Sequence, residues 1–518
     1  EWPDIVNVNG TIIGSGNDLV IKSQQGTIAG FSFLNVDTRI DKLTEDEPIL
    51  TLDGKLKGTT AQAVELLKNS PLRHRFGRVA SLITAQGGSD INLHLMVPLS
   101  YANETEVKGD VSFINSTLFK TSFPQAPITN VNGKIDFSHE SVSAESITAQ
   151  ALNAPIIINV GPKNNNTVIN ATGSVSAKQL ELLSSEDLSQ YINGQTDYEL
   201  AVEISEKTVG DFYADVTVKS NLRGLNVLLP APFYKTAEQT VDFQTALDQS
   251  VNSSRYTLDY DGKALASMLV TENTGRQFNV DLNKFNLADW LELQTANNES
   301  FFHVNDEVVF KIPQANIFGQ QLTHIELKST RQSTGWTGRL SSEQTNGSFS
   351  VTDDSADFGL IRANLDNVAL TIADDKQPAQ QMSQSTAALW PAIELDIDSL
   401  RLNQSLLGKL SLKSKRTPNK WILETASIQA PSFEANVLEG VWQKDGAVEN
   451  TKLHIQVNSD DLANALASLG YQQAVDARNT KLDADISWPN DPLSFSKHNL
   501  RGKLFFDIGK GELEEVKP

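Results

Sequence analysis

Apolar and polar residues alternate with a period of two along most of this chain. In residues 133 to 161, GKIDFSHESVSAESITAQALNAPIIINVG, one phase holds Ile135 and Phe137, Val142 and Ala144, Ile147 and Ala149, then Ile156, Ile158 and Val160, with a turn-like break between sets. Such alternation predicts short strands with one apolar and one wet face. It recurs at Ile91 to Val97, Val107 to Phe113, Leu200 to Ile204, Phe212 to Val218, Leu225 to Leu229, Ile393 to Ile397, Leu453 to Val457, Leu482 to Ile486 and Leu504 to Ile508. Turn residues between the runs, such as GPKNNNT at 161 to 167 and the Gly-Lys pairs at Gly133, Gly408 and Gly502, predict antiparallel meanders with one polar face.

Helical patterns are few and carry start signals. Thr59 with Gln62 and Ser176 with Gln179 have capping-box spacing, Pro71 stops the first stretch, Asn286 precedes LADWLELQ, and Ser459 precedes DDLANALASLG with Gly470 at its end. These short amphipathic helices are expected at the edge or end of a sheet. The polar, aperiodic stretch 373 to 388, ADDKQPAQQMSQSTAA, reads as a loop or linker. It divides the chain into an elongated segment, 1–372, and a second, 389–518, continuous with the first.

Roughly thirty strands exceed the usual limit of about ten for an open sheet. Several sandwiches would need several linkers, and only 373 to 388 looks like one. The better solution is one long, curved, twisted antiparallel sheet whose concave face is a continuous trough. Aromatic residues are only 7% of the chain, so Ile, Val, Leu and Ala would line it, and lipid acyl chains are the ligands it would suit.

Composition narrows the partners. With 43 basic against 64 acidic residues the formal charge is −21, which opposes binding to nucleic acid through a general basic field. There is no cysteine, hence no disulfide framework and no thiolate metal site. No run approaches the length of a membrane span. The seven histidines show no metal-binding spacing, and nucleophile-elbow, P-loop and dinucleotide fingerprints are missing. His94 and His454 fall in the polar phase of their strands, and the pairs Asp396 and Asp398, Asp483 and Asp485 read as a solvated outer face. No catalytic residue, metal ligand or cofactor is expected.

Particular stretches resemble the AsmA-like envelope proteins of Gram-negative bacteria, most closely the very large YhdP type. These are GLNVLLPAPFYKTAEQ at 224 to 239, the Pro-led, Gly-Lys-Leu and Trp-led strands of residues 390 to 442, and above all 459 to 516, with SDDLANALASLGY, TKLDADISWPNDPLSF and LRGKLFFDIGKGELEEV. The resemblance runs from about residue 90 to the end of the chain, and the segment looks like a fragment without the membrane-spanning N-terminus of such proteins. It implies a periplasmic part of an inner-membrane-anchored protein, a repeating β-groove passing phospholipid toward the outer membrane, with envelope proteins as possible partners at the groove ends. It brings no catalytic residues. What it carries over is a lining, assigned to the apolar phases with Phe113, Ile135, Phe137, Ile147, Ile156, Ile158, Val160, Val216, Leu225, Val227, Leu229, Ile393, Leu395, Ile397, Leu504 and Phe506. Two readings stand against it: an extended structural or adhesive β-protein whose face is filled by its own side chains, and an acidic carbohydrate-active enzyme, which needs two carboxylates facing one cleft.

Overall fold

The computed structural model describes residues 3 to 513 except 46, 71–72, 74–79, 102–104, 121–122, 139–140, 165, 184–186, 209–210, 251, 272–274, 292–301, 318–319, 353–358, 372–389, 404, 418–419, 446–447, 472–474, 493–494 and 496–497. The described strands form a 30-stranded sheet and a separate two-stranded ladder of Val475–Ala477 with Gly511–Leu513. No pairing among the described residues closes the large sheet on itself. The chain divides into two compact units, residues 1–229 with 233–262, and residues 230–232 with 263–518. The expected linker at 373 to 388 lies outside the described residues.

In the first unit each long strand from Ile5–Ser15 to Ser253–Tyr260 pairs antiparallel with the next. The short strand Leu225–Val227 instead pairs back onto Ile192 to Gly194. Register turns the alternation into rows: Phe33, Leu56, Ile91, Val111 and Ile135 stand opposite one another on successive strands. Ile147, Ile158, Ala171, Leu200 and Val218 form a second row. A slip of one residue would turn a whole row to water, so burial of the rows fixes the register.

The second unit departs from the expected pure meander. Gln277–Leu282 pairs parallel with Glu307–Ile317, and Leu360–Leu370 parallel with Ala392–Leu402. Parallel neighbours need a long crossover, and the segments between these strands, 283–306 and 371–391, provide one. The two-residue strand Phe285–Asn286 also pairs parallel with Ala315 and Asn316, and the other described pairings to Arg501–Asp507 are antiparallel.

Short α-helices interrupt the strands. Helix α1, Thr60–Lys68, starts with the expected capping box: the Gln62 amide donates to the Thr59 hydroxyl at 3.2 Å, and the Thr59 amide donates to the Gln62 side chain at 2.8 Å. Ser176 and Gln179 likewise start α2, Ala177–Leu180, which tightens into a 3₁₀ turn at Glu181–Leu183 and is shorter than the pattern suggested. Helix α3, Leu287–Leu291, follows Asn286. Asp461, rather than Ser459, caps α4, Leu462–Ser468, accepting from the Asn464 amide at 3.0 Å. Ser459 instead accepts from the Asp461 amide and donates to the Ser432 carbonyl.

The Gly-Lys pairs are not turns. Gly133, Gly408 and Gly502 lie inside strands Phe123–Ser138, Ser405–Thr417 and Arg501–Asp507. Gly408 has φ +87°, and a Cβ there would stand 2.0 Å from the Gln429 carbonyl oxygen, beside a break in register. Glycine here permits a bulge and a close strand approach. The pairs therefore lie within strands instead of ending them.

Candidate functional site

The candidate site is the apolar face itself. In the first unit Ile147 and Ile156 are buried with Val131, Ala144 and Ala149, and Phe113, Ile135, Ile158 and Val160 pack half-buried against them. Six of the predicted lining residues thus share one cluster. Phe137 joins a neighbouring cluster built on Phe31, Phe33, Leu56 and Ile91. Its ring covers Gly109 on the adjacent strand, where a Cβ would meet the ring at 2.7 Å. Val216 continues a row through Val160, Ile169, Val202 and Leu247.

Leu225, Val227 and Leu229 are placed differently. Leu225 and Val227 are buried in the three-residue strand and Leu229 lies just beyond it, half-buried. The Lys235 side chain fixes this connection. It is 1% exposed and donates to the carbonyls of Leu222, Thr236 and Leu225. Burial lowers its pKa, opposed by Glu238, while the three carbonyls satisfy its donors.

In the second unit Leu395 and Ile397 pack with Leu365, Leu400, Leu407 and Leu410, whereas Ile393 packs on a cluster of Trp390, Trp421 and Trp442. The rows continue: Leu395, Leu412 and Ala426 stand opposite one another, as do Ile455, Ala484 and Leu504, and Val457, Leu482 and Phe506. Leu504 and Phe506 remain 55% and 61% exposed.

Charges occupy the alternate phase. Lys134 contacts Asp136 at 2.7 Å and Asp110 at 3.6 Å. His94 stands 2.7 Å from Asp53, and His454 bridges Asp483 and Asp485 at 3.1 and 3.5 Å. Side-chain hydrogen bonds from Gln456 and then His454 hold the Asp483 carboxyl below its ordinary value. Both histidines are part exposed, and such surface pairs contribute little to stability. Among the described residues no group of three or more histidine or acidic side chains is arranged to hold a metal ion.

A cavity of about 1150 Å³ lies beside the wet phase, lined by Ile157, Thr172, Glu199, Lys219, Gln244 and Asp259 among others. These six face one another across successive strands, one residue out of step with the apolar rows. Ile156, Gly173, Tyr198 and Phe243 of the apolar phase line the same cavity, so it also borders the aliphatic lining.

Three features escape the alternation pattern. The tryptophans, distant in sequence, meet edge to face, with Trp390 ring centroids 6.0 Å from Trp421 and 5.4 Å from Trp442. Asp306 is 1% exposed and receives hydrogen bonds from Arg276 and from the His303 amide. Helix α1 places Ala63 and Leu66 in the cluster of Phe31 and Ile91. Trp at strand starts and ends was the one available sequence signal; nothing local marks the other two.

A long sheet that pairs in order, bears an aliphatic strip on one face and charges on the other, and remains open defines a β-groove protein. The sequence matches the family described as YhdP protein over residues 1–518, and the chain belongs to that family. It is 20% identical over 553 aligned residues to the intermembrane phospholipid transporter YhdP of Escherichia coli (strain K12). That alignment covers 100% of this chain and 43% of the relative, so the chain spans less than half the relative's length. No helix among the described residues is long and apolar enough to cross a membrane.

Proposed function

We propose that this segment carries phospholipid acyl chains along its apolar face, as part of a periplasmic bridge between the inner and outer membranes. The observation that carries the reading is the persistence of aliphatic rows across successive strands in each unit, bordered by a charged opposite phase. Family membership agrees with it. The cargo takes its identity from the relative, which is named as a phospholipid transporter.

Moving one sixteen-carbon chain through water exposes apolar surface costing about 0.8 kcal/mol per CH₂, on the order of 13 kcal/mol. A trough of Ile, Val, Leu and Ala removes most of that barrier at every step. The head group stays in water at an open side. A row of equivalent contacts suits transport, because a deep specific pocket would trap the cargo. The segment then performs no covalent chemistry, and an inner-membrane anchor and proteins at the groove ends belong to the longer protein.

Photo-crosslinking side chains at Phe137 and Ile158, compared with Asp136 and Ile157 on the other phase, test the reading in cells. Phospholipid captured from Phe137 and Ile158 supports the groove. Capture only from Asp136 and Ile157 reverses the assignment of faces, and capture from none favours a self-filled structural sheet.

A further inference from the structure

Strand direction sorts the connections of the first unit onto two rims. Because the long strands alternate in direction, the ends of Asp18–Ile28, Ile49–Thr59, Glu106–Lys120, Val142–Ala151, Asn166–Ser176 and Asp211–Ser220 share one rim. Three long connections leave from it. Residues 60–82 contain α1, 177–191 contain α2 with its 3₁₀ turn, and 221–242 contain the strand held by Lys235. The opposite rim carries only the shorter connections 16–17, 42–48, 99–105, 139–141, 164–165, 209–210 and 250–252.

Two of these long connections pack back onto strands of the sheet. Helix α1 buries Ala63 and Leu66 against Phe31 and Ile91, and Val64 against Ala80 and Ala85. Its first turn is tied to the sheet by Gln62, which donates to the Gly30 carbonyl at 2.9 Å. The turn after α2 reaches back to strand Phe123–Ser138, beyond the two strands between them.

Burial along several strands follows the same division, while Val107 and Ala214 are buried nearer the opposite rim. Ala154 and Ile156 are buried near the helix-bearing rim, while Ile158 and Val160, further along that strand, are half-buried. Ile91, Leu93 and Leu95 are buried and Val97 half-buried; Phe31, Phe33 and Val36 are buried and Ile40 half-buried. In these strands exposure grows toward the rim of short connections.

We infer that the first unit's groove opens sideways at the rim of short connections, and that a phospholipid lies there with its head group at that rim and its acyl chains pointing toward the helix-bearing rim. This rests on the lipid-carrying reading above and adds a direction to it. A head group needs water and an acyl chain needs cover. The two rims supply these separately. The long connections then close one wall of the groove, and the lipid enters, leaves or is exchanged through the other.

The chain has no cysteine, so single cysteines can be introduced and labelled cleanly in the 518-residue chain. The variants are Val97→Cys and Val160→Cys near the short-connection rim, Ile128→Cys and Ala151→Cys near the helix-bearing rim, and Ile135→Cys between them. Each carries an environment-sensitive fluorophore and is mixed with phosphatidylcholine vesicles containing a nitroxide on either the head group or the end of an acyl chain. Far-ultraviolet circular dichroism verifies that each labelled variant remains folded. The expected result is that the head-group nitroxide quenches Val97→Cys and Val160→Cys about twofold more than Ile128→Cys and Ala151→Cys, since head group and acyl-chain end lie about 15 Å apart, half the hydrocarbon thickness of a bilayer, with the acyl nitroxide reversing the order. Acyl quenching at Ile135→Cys with the head-group order equal or inverted overturns the sidedness and leaves the lipid-carrying reading standing. Absence of acyl quenching in every folded variant overturns both.

Discussion

The two units use the same alternation but stabilise it differently. In the first, antiparallel strands follow one another and the face is mostly aliphatic with interspersed phenylalanines, burial being spread over residues such as Phe31, Ile91, Leu93, Val131 and Ile147. In the second, two parallel pairings impose long crossovers, and aromatic rings and a buried carboxylate gather beside them. Phe302 packs edge to face on Phe278 and Trp336, and Trp390 on Trp421 and Trp442, while Arg276 binds Asp306. A hairpin needs little more than its turn, whereas a crossover has to be fixed back onto the sheet. Large rings and a buried ion pair do this locally, and aliphatic rows need no such centre.

The contrast predicts where single substitutions hurt most. Trp442→Ala is expected to cost about 3–5 kcal/mol, read by denaturant unfolding with hydrogen exchange locating the loss in strands 392–459 of the second unit. Ile147→Val in the first unit should cost about 0.5–1.5 kcal/mol. Equal costs would remove the distinction between concentrated and distributed cores.

Asp306→Ala should also fall in the upper range, about 3–5 kcal/mol, because it leaves a largely buried guanidinium without its carboxylate. Burial works to raise the Asp306 pKa, but the hydrogen bonds from Arg276 and the His303 amide outweigh it and hold the value below 3.8. A depressed carboxyl pKa contributes stability above the unfolded value and loses it as pH falls through the folded one. Acid titration of stability should therefore be flatter below about pH 4 in the variant than in the parent. Identical acid limbs would show that the pair does not contribute this dependence.

Smaller effects sharpen the account of the first unit. Gly109→Ala should cost about 1–3 kcal/mol, since its Cβ would stand 2.3 Å from the Asn92 carbonyl oxygen as well as meeting the Phe137 ring. Thr59→Ala should cost about 1 kcal/mol by removing the cap of α1, and should raise hydrogen exchange at the start of that helix. No change in α1 protection would mean that Gln62 and the packing of Leu66 hold the helix without the cap.

Much of the apolar face was legible in the chain. Alternation marked Ile135, Ile147, Ile156, Ile158 and Val160 as one phase, and their common cluster requires only that neighbouring strands pair in register. Capping signals located the starts of α1 and α2 because a cap is a local hydrogen bond. The Gly-Lys pairs were misleading for an equally physical reason: glycine serves turns and bulges alike, and only the adjacent strand distinguishes them at Gly408. Leu225, Val227 and Leu229 alternate as regularly as any groove strand, yet they belong to a connection held by Lys235.

Period-two patterning, the supply of aliphatic side chains and the local caps were set by the order of residues, since each depends on neighbours a few positions away. The pairing order, the two crossovers, the meeting of three distant tryptophans and the rim on which the long connections fall required the folded sheet. They depend on strand direction and on contacts between residues tens or hundreds of positions apart, which no local pattern encodes.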